Sequence, residues 1–335
     1  LRLLSMTLRL LLVVLALAVS TARAEPYAQR ADVQAFVQEM HGRHGFEVEA
    51  LNTLFGQTKP IAAVIKAIMP PKDPAVRSWQ AYRGRFVESR RIAAGRRFMY
   101  AHATELAAAE TRFGVPAEII AAIIGVETLY GKQLGRFGTF AALTTLAFDY
   151  PPRAELFRKE LEQLLLLARE ENRSPLSYIG SYAGALGLPQ FLPSSRRRFA
   201  IDFDQDGRID LATSPGDAIG SVGNFLAEHG WERDAPIAVI VTAAGDGVRA
   251  LLDAGIAPRL TPAQMDVENA GILKLGAGDT AIPDRPAALI DLVTPNAATE
   301  YRLGYRNFYV ITRYNRSSFY AAAVMDLAAA LRISK

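Results

Sequence analysis

Apolar residues recur at intervals of three and four through the first half of this chain, and this helical spacing constrains the fold more than any other feature. The pattern holds from residue 32 to about residue 170. A chain of 335 residues, 50% of them hydrophobic, can bury a sizeable core in two or three parts. We therefore predict a mostly α-helical body, with breaks at Gly45, Pro60, Pro70-Pro71, Gly114 and Pro151-Pro152.

The second half of the chain has a mixed pattern. Residues 174–215 are rich in Gly, Pro, Ser and Asp and are predicted to form an ordered loop region. Residues 235 to about 309 contain short β-branched runs separated by Gly and Pro, which predicts a small α+β lobe. The predicted elements are a helix over 216–228, strands over 237–241 and 288–293, a short helix over 260–265 and a closing amphipathic helix over 317–333.

One glutamate, Glu127, ends an apolar helix that we predict over residues 115–129. Ile120, Ile123 and Ile124 share its face, so the core-facing stripe carries this carboxyl into apolar surroundings. Burial raises the pKa of a carboxylic acid, and an acid that keeps its proton near neutral pH can protonate the leaving oxygen of a glycosidic bond. The alternative on spacing alone is a helix-end glutamate that is paired or faces water.

The first 24 residues have the pattern of a secretory signal. A start carrying Arg2 and Arg9 is followed by an apolar run over 10–19 and by the small-residue site Ala22-Arg23-Ala24. The apolar run is short for a transmembrane anchor, which is the alternative. The chain contains no cysteine, which excludes disulfides, thiolate metal sites and lipid attachment through cysteine. We therefore expect a soluble, exported protein of the periplasm.

Charge predicts no nucleic-acid partner. The net charge is +4, and three positive charges lie in the predicted signal, which leaves +1 for the rest. The basic run 196–198 is expected to be solvated surface. The four histidines form no HExxH motif and no serine lies in GxSxG, so zinc peptidases and serine hydrolases are excluded.

The run DFDQDGRID at 202–210 follows the start of an EF-hand loop. Its carboxylates fall at alternating positions, Gly207 allows the sharp turn, and hard oxygen ligands suit Ca²⁺. The twelfth position is Thr213 rather than an acid, and Asp217 is placed to supply the missing oxygens from a longer loop. The alternative is a solvated acidic turn. A cage of this kind leaves little open coordination, so a bound calcium is expected to be structural.

Five motifs occur together and in order: GVETLYG at 125–131, SYAGALGLPQFLPSS at 181–195, DFDQDGRID, DAIGSVGNFLAEHGW at 217–231 and NFYVITRYN at 307–315. From about Trp79 to the last helix, the chain resembles the membrane-bound lytic murein transglycosylase B family. The resemblance implies an α+β, mainly α fold, in which a lysozyme-like helical core is flanked by an α domain and a small β-containing lobe. The expected boundaries are a signal at 1–24, an N-terminal α region at 25–110, the catalytic core at 111–234 with its EF-hand-like loop at 202–217, the lobe at 235–305 and a returning segment at 306–335.

The resemblance also implies an activity. Members cleave the β-1,4 bond between N-acetylmuramic acid and N-acetylglucosamine in peptidoglycan, and form a 1,6-anhydro ring on the muramoyl residue with a single catalytic acid/base, here Glu127. Family residues that line the sugar groove fall on Tyr82, Arg153, Ser181, Gln190, Tyr314, Asn315 and Tyr320. The implied calcium ligands are Asp202, Asp204, Asp206, the carbonyl of Arg208, and Asp217. No cofactor is expected for catalysis, and the expected partners of a monomer are peptidoglycan strands, with cell-wall synthesis proteins left unspecified.

The chain departs from the family pattern in three places. Phe225 replaces a tyrosine, which removes one hydroxyl that could bind sugar. Asp149 stands where asparagine is frequent, and one extra residue precedes Asp217, which puts that ligand in question.

The groove residues also have structural alternatives. Tyr82 and Tyr320 have the pattern of core aromatics, and Ser181 and Asn315 that of caps, with Asn315 placed to cap the last helix. Arg153 is placed to hold a helix start, and Gln190 to brace its loop.

A second catalytic carboxylate is not evident. Asp149 and Glu155 lie near Pro151-Pro152, but nothing in the spacing places either beside Glu127. We therefore expect the acetamido group of the substrate to assist the reaction. The rival hypotheses are a peptidoglycan-binding protein with little activity, a hydrolytic muramidase and a calcium sensor.

Overall fold

A computed structural model describes residues 25–70, 77–269, 272–275 and 282–332. The predicted signal at 1–24 lies outside these residues. The chain divides into one unit that ends at Lys59 and another that begins at Pro60. The domain boundaries expected from the sequence do not follow this division and stay a prediction.

The first unit is helical. Helices α1 (Ala31–His44) and α2 (Val48–Gly56) are separated by a turn in which Gly45 adopts a φ of 68°. The ring of Phe36 meets the ring of Phe55 edge-on, with centroids 6.1 Å apart. Gly45 therefore ends α1 as the sequence predicts, because a left-handed residue is least costly as glycine.

Helices also dominate the second unit. Their bounds are α3 (Ala62–Ile68), α4 (Trp79–Phe86), α5 (Ser89–Ala101), α6 (Ala103–Phe113), α7 (Ala117–Thr128), α8 (Thr139–Asp149), α9 (Ala154–Glu170), α10 (Pro193–Phe199), α11 (Pro215–Glu228), α12 (Val248–Asp253), α13 (Pro262–Asn269), α14 (Arg306–Tyr314) and α15 (Ser318–Leu331). The predicted helix starts and ends near Gly114, residue 216 and residue 317 agree with these bounds to within a few residues.

Helix α7 lies at the centre of the second unit. Every residue from Ile119 to Val126 is buried, so the helix is enclosed on all sides and not along the single stripe that the spacing suggests. Helices α5, α6, α11 and α15 pack around it. An apolar helix of this kind is stable only inside a core, and its position fixes where Glu127 emerges.

Residues 174–215 contain more regular structure than the predicted loop region. Strand β2 (Ile179–Gly180) pairs with β1 (Phe137–Gly138), and α10 carries the basic run. The expectation that this run is solvated is wrong for Arg196, which is 7% exposed. Its guanidinium donates to Glu171 and to the carbonyl of Ile209, and these acceptors offset the cost of burying the charge.

The lobe predicted after residue 235 is a four-stranded antiparallel sheet with two short helices, α12 and α13. Its strands are β3 (Ala238–Ala244), β4 (Ile272–Leu275), β5 (Ala288–Leu292) and β6 (Glu300–Gly304), in the order β4-β3-β6-β5. Val239 pairs with Leu303 and Leu289 also pairs with Leu303, so apolar residues align across the three strands. With Leu251 these side chains form a small core of their own.

Helix α15 closes the fold against α7 and α4. The Ser317 side chain caps its start by accepting a hydrogen bond from the backbone N–H of Tyr320. The alternative in which Asn315 caps this helix is therefore wrong; Asn315 is an exposed, extended residue that follows α14. Serine at the cap lets the helix begin so that Tyr320, in its first turn, faces the core.

Candidate active site

Glu127 lies at the last turn of α7, where the chain leaves the helix abruptly. Leu129 and Tyr130 both adopt positive φ angles, 51° and 56°, although neither is glycine. The Tyr130 ring folds back so closely that a β-carbon on Gly95 or Gly125 would collide with it. The glycine that opens the GVETLYG motif is therefore needed for this close approach, and the turn holds Glu127 at the end of the helix.

An arginine also binds this helix end. Arg91 on α5 donates to the carbonyl of Gly125, and its guanidinium lies 5.3 Å from the Phe86 ring centroid. Burial lowers the pKa of Arg91, opposed by the nearby Glu88. A cation at the C-terminus of a helix interacts favourably with the helix dipole and satisfies a carbonyl there.

The carboxyl of Glu127 is held in mostly apolar surroundings. The residue keeps part of its surface exposed, and the Tyr320 hydroxyl donates to its Oε1 at 2.7 Å. Burial raises the pKa of Glu127 from 4.5 to about 7, and the hydrogen bond from Tyr320 acts in the opposite direction. This carboxyl therefore exchanges a proton near neutral pH.

Two more of the predicted groove tyrosines lie near Glu127. Tyr314 stacks on Tyr320 with centroids 6.3 Å apart, and its hydroxyl donates to the carbonyl of Pro189 at 2.6 Å. Burial raises the pKa of Tyr314 and of Tyr82, and the charge of Glu127 raises both further. Because their pKa values are raised, the tyrosines stay neutral and add no negative charge that would repel the carboxylate.

Phe225 extends this aromatic row. Its ring lies 4.7 Å from Tyr314 and 4.1 Å from His229, and the residue is 5% exposed. Phe225 is therefore packed inside the aromatic core rather than exposed at the surface. Its ring makes these contacts without the hydroxyl that a tyrosine would carry.

The segment from Ser181 to Gln190 forms a tight, glycine-rich turn. The Ser181 hydroxyl accepts from the N–H groups of Ala183 and Ala185 at 3.3 and 3.0 Å. Gln190 has a φ of 51° and its amide donates to the carbonyls of Gly187 and Leu134 at 2.9 and 3.3 Å. Both side chains brace the turn, as the structural alternatives suggest, and their roles toward sugar stay predictions.

Arg153 and Asn315 are the remaining predicted groove residues, and both are exposed. Arg153 precedes α9, and its guanidinium lies 5.2 Å above the ring of Phe157, one turn into that helix. Glu155, considered as a second acid, is exposed on α9 and binds Lys159 at 2.7 Å. These contacts place Glu155 in a surface ion pair.

The EF-hand-like loop brings three of its predicted ligands together. Ligand oxygens of Asp202, Asp204 and Asp217 lie within 4.8 Å of one another. The Asp202 Oδ1 atom is buried and has no hydrogen-bond partner among the described residues. An orphaned buried carboxylate oxygen beside two further carboxylates fits a hard divalent cation such as Ca²⁺.

Asp206 and Asp217 also accept hydrogen bonds from the backbone of the loop. The Asp206 carboxylate accepts from the backbone N–H of Arg208 at 2.9 Å and lies 3.4 Å from its guanidinium. Asp217 is 1% exposed and accepts from the N–H groups of Phe203, Asp204 and Asp210. Asp217 therefore organises the loop from the start of α11, despite the extra residue before it.

Sequence reasoning missed a set of buried hydrogen bonds next to Glu127. Thr128, which is fully buried, contacts Leu188. Leu188 in turn contacts Leu211 in the EF-hand-like loop at residues 202–217, here named the metal loop. The available signal was the threonine directly after Glu127 in the GVETLYG motif. A buried hydroxyl must find a partner, but the sequence does not say which one.

A glutamic acid of raised pKa beside neutral tyrosines in a lysozyme-like helical core defines a class of protein, namely enzymes that cleave glycosidic bonds. The family described as "Transglycosylase SLT domain" matches residues 28–329. "Membrane-bound lytic murein transglycosylase B" of Escherichia coli (strain K12) is 35% identical to this chain over 326 residues, covering 92% of this chain and 85% of that protein. The chain belongs to this transglycosylase family, and it is a lytic transglycosylase that acts on peptidoglycan.

Solved structures agree with this assignment. The soluble lytic transglycosylase SltB1 from Pseudomonas aeruginosa superimposes with a TM-score of 0.80 at 42% identity, over 90% of this chain and 98% of that one. Several similar structures contain ligands, and two of them bear on this site. The Escherichia coli lytic transglycosylase Slt35 in complex with calcium has a TM-score of 0.74 at 35% identity, over 92% and 93% of the two chains. SltB3 from Pseudomonas aeruginosa in complex with NAG-anhNAM-pentapeptide has a TM-score of 0.74 at 27% identity, over 90% and 78%.

The name of one relative includes the term membrane-bound. Among the described residues, none of the helices combines the length and the apolar content that crossing a membrane requires.

Proposed function

We propose that Glu127 is the single acid and base with which this enzyme cleaves the β-1,4 bond between N-acetylmuramic acid and N-acetylglucosamine, leaving a 1,6-anhydro ring on the muramoyl product. The observation that carries the proposal is the setting of Glu127. Its pKa is raised to about 7 by burial, and one oxygen is held by Tyr320 while the residue stays partly exposed. A group that titrates near neutral pH serves both as an acid and as a base.

In the first step, Glu127 donates its proton to the glycosidic oxygen. The bond between that oxygen and the anomeric carbon breaks, and the acetamido oxygen of the same sugar stabilises the electron-poor carbon. Glu127 is left as a carboxylate. The Tyr320 hydroxyl on Oε1 stabilises this anion, because a hydrogen bond to a charged acceptor is stronger than one to a neutral acceptor.

In the second step, the Glu127 carboxylate takes the proton of the C6 hydroxyl. The C6 oxygen bonds to the anomeric carbon, the acetamido oxygen is released, and the 1,6-anhydro ring closes. The proton returns to Glu127 and no water is consumed. The anhydro sugar in the SltB3 complex is of the product type that this step yields.

The predicted groove residues supply recognition in this proposal. Tyr82 and Tyr314, which are partly exposed, offer ring faces to sugar near Glu127, whereas the buried Tyr320 acts through its hydrogen bond to Glu127. Exposed Arg153 and Asn315 offer donors for the lactyl and peptide carboxylates and for sugar hydroxyls.

We also infer that the EF-hand-like loop holds a structural Ca²⁺ through Asp202, Asp204 and Asp217, with Asp206 and the carbonyl of Arg208 as further ligands. The orphaned Oδ1 of Asp202 and the calcium in Slt35 support this assignment. When bound, the ion supplies positive charge that joins carboxylates which otherwise repel one another.

The proposed site of action is the periplasm, where an exported enzyme meets peptidoglycan. The signal pattern at residues 1–24 and the peptidoglycan fragment bound by SltB3 support this location.

Digestion of purified sacculi, followed by mass spectrometry of the soluble muropeptides, tests the reaction. We expect 1,6-anhydromuramoyl products. Reducing muramoyl ends without anhydro products would contradict the proposal and identify a hydrolytic muramidase.

The same digestion with Glu127→Gln tests the residue. Loss of the proton donor is expected to lower kcat about a thousandfold while binding to sacculi is kept. Glu155→Gln, which removes an exposed carboxyl paired with Lys159, is the matched control and should retain wild-type activity. Retained activity in Glu127→Gln would refute the assignment.

A further inference from the structure

The short segment Gly187–Gln190 contacts three parts of the molecule at once. Its Leu188 carbonyl faces α7, its Leu188 N–H faces the metal loop, and its Pro189 carbonyl faces α14. Four consecutive residues therefore connect regions that are far apart in the sequence. The inference below rests on the proposed role of Glu127 and concerns what holds that residue in place.

The contact with α7 is made by Thr128. Its hydroxyl lies 3.0 Å from the carbonyl of Leu188 and 3.2 Å from that of Ile124, and it accepts from the N–H of Gly131 at 3.1 Å. Thr128 follows Glu127 directly and is 0% exposed. One hydroxyl thus connects the end of the α7 helix, the turn after it and the Leu188 carbonyl.

The contact with the metal loop is made by Leu211. The N–H of Leu188 donates to the Leu211 carbonyl at 2.7 Å. That carbonyl lies so close to Gly187 that a β-carbon there would collide with it, and Gly187 has a φ of 69°. The neighbouring Asp210 donates its N–H to Asp217 Oδ2 at 2.7 Å. Leu211, which accepts from the Leu188 N–H, therefore directly follows Asp210, which donates to the carboxylate cluster.

The remaining contacts stiffen the segment. The Tyr314 hydroxyl donates to Pro189 at 2.6 Å, and the Gln190 amide closes back on the Gly187 carbonyl at 2.9 Å. Leu188 is 5% exposed. A buried segment with its peptide groups satisfied on three sides has little freedom to move one contact without the others.

We propose that the backbone of Leu188, through its carbonyl on one side and its N–H on the other, mechanically couples the metal loop to Glu127, with Thr128 as the positioning residue at the Glu127 end. The Thr128 hydroxyl fixes where α7 ends, and with it the direction of the Glu127 carboxyl. Leu211 holds the N–H of the same residue, in the preceding peptide group, so that order in the metal loop is passed to the acid. Small displacements matter here, because a shift of about 1 Å in a catalytic group can cost about a hundredfold in rate.

Thr128→Val and Thr128→Ser test the positioning role. Valine keeps the shape but removes the hydroxyl, whereas serine keeps the hydroxyl. We expect Thr128→Val to lower kcat about tenfold to about a hundredfold with KM within about twofold, and Thr128→Ser to restore most of the loss. Equal kcat values in the two variants, or an effect confined to KM, would overturn the positioning role.

Calcium affinity, measured by isothermal titration calorimetry, tests the coupling without relying on activity. Coupling is reciprocal, so a residue that receives order from the loop also affects how the loop binds its ion. We expect Thr128→Val to raise the Kd for Ca²⁺ about fivefold and Thr128→Ser to leave it unchanged. An unchanged Kd in Thr128→Val would refute the coupling.

If Thr128→Val does not fold, Asp202→Asn decides the question. This change weakens the metal loop and leaves Thr128, Leu188 and Leu211 in place. A fall in kcat without a change in product supports the coupling, and an unchanged kcat overturns it. A wild-type protein that makes no anhydro product would instead refute the proposed function, so the two failures are distinguishable.

Discussion

Glu127 at the end of α7 and Asp210 in the metal loop are both partly buried carboxyl groups, yet their surroundings act on them in opposite directions. Burial acts to raise the pKa of each. For Glu127 it prevails, because among the described residues the Tyr320 hydroxyl is the one hydrogen-bond donor that opposes it. For Asp210 it does not prevail, because the hydroxyl and N–H of Thr213 and the N–H of Ala212 hold its pKa below the usual value.

For these two carboxyls, the hydrogen-bond donors decide whether burial prevails and in which direction the pKa moves. The metal loop also directs backbone N–H groups at two of its other acids, Asp202 and Asp217. The end of α7 has its N–H groups engaged within the helix and presents few donors to Glu127. One region is therefore suited to hold charge and the other to transfer a proton.

The largest effect that tests this comparison is the pH dependence of stability. The pKa of Glu127 is about 7 in the folded protein and near 4.5 when the chain is unfolded, so the folded state holds the proton more tightly. Stability from this proton is present below pH 4.5 and is lost as the pH rises through 7. Urea unfolding measures this loss. Between pH 4 and pH 8, the free energy of unfolding of Glu127→Gln should rise by about 3 kcal/mol relative to that of the wild type.

Glu155→Gln is the control for this measurement. Its exposed ion pair with Lys159 lowers the pKa of Glu155, so this change should alter the pH dependence only slightly and in the direction opposite to Glu127→Gln. A wild type and a Glu127→Gln protein whose stabilities run parallel from pH 4 to pH 8 would show that Glu127 has the same pKa in the folded and unfolded states. The contrast between the two regions would then disappear.

The sequence predicts the apolar helix that carries Glu127 well. Ile120, Ile123 and Ile124 identify a buried helix, and α7 begins and ends within two residues of the predicted bounds. Local periodicity succeeds here because each helical position has a fixed direction. It does not extend to Tyr320, which lies 193 residues from Glu127 and meets it through packing of α15 on α7. The resemblance assigns Tyr320 to the groove, but its contact with Oε1 required the structure.

The same limit explains two other differences. Arg196 belongs to a run of three arginines that has the pattern of a surface, and it is buried because Glu171 and Ile209 provide acceptors. The Thr128 to Leu188 contact joins residues 60 positions apart. Hydrogen bonds between distant segments depend on three-dimensional proximity, which neither composition nor spacing encodes.

The next effect concerns the metal loop. Calcium at about one hundred times its Kd is expected to stabilise the wild type by about 2.7 kcal/mol. Asp202→Asn should lose most of this gain, because Asp202 holds the oxygen without a partner. Unfolding in calcium and in chelator measures the difference. Asp253→Asn, on the surface of α12 and paired with Arg249 at 2.9 Å, is the control and should keep the full gain.

An Asp202→Asn protein that keeps the whole calcium-dependent gain would place the ion elsewhere. The metal loop would then be an acidic turn held by its own N–H groups. The two regions would differ only in how many hydrogen bonds their carboxyl groups accept.

The smallest effect concerns the single donor on Glu127. In Tyr320→Phe the hydrogen bond that lowers the pKa of Glu127 is removed, so this pKa should rise above about 7 and the alkaline limb of the pH–rate profile should move upward. We expect kcat to fall about tenfold, about 1.4 kcal/mol, because the carboxylate formed in the first step loses a donor. Tyr305→Phe, which removes a hydroxyl that donates to Pro283 in the lobe, should leave the profile unchanged. If the pKa of Glu127 instead falls in Tyr320→Phe, water donates to the carboxylate more strongly than the tyrosine does. The small number of donors around Glu127 would then depend on Tyr320 excluding water.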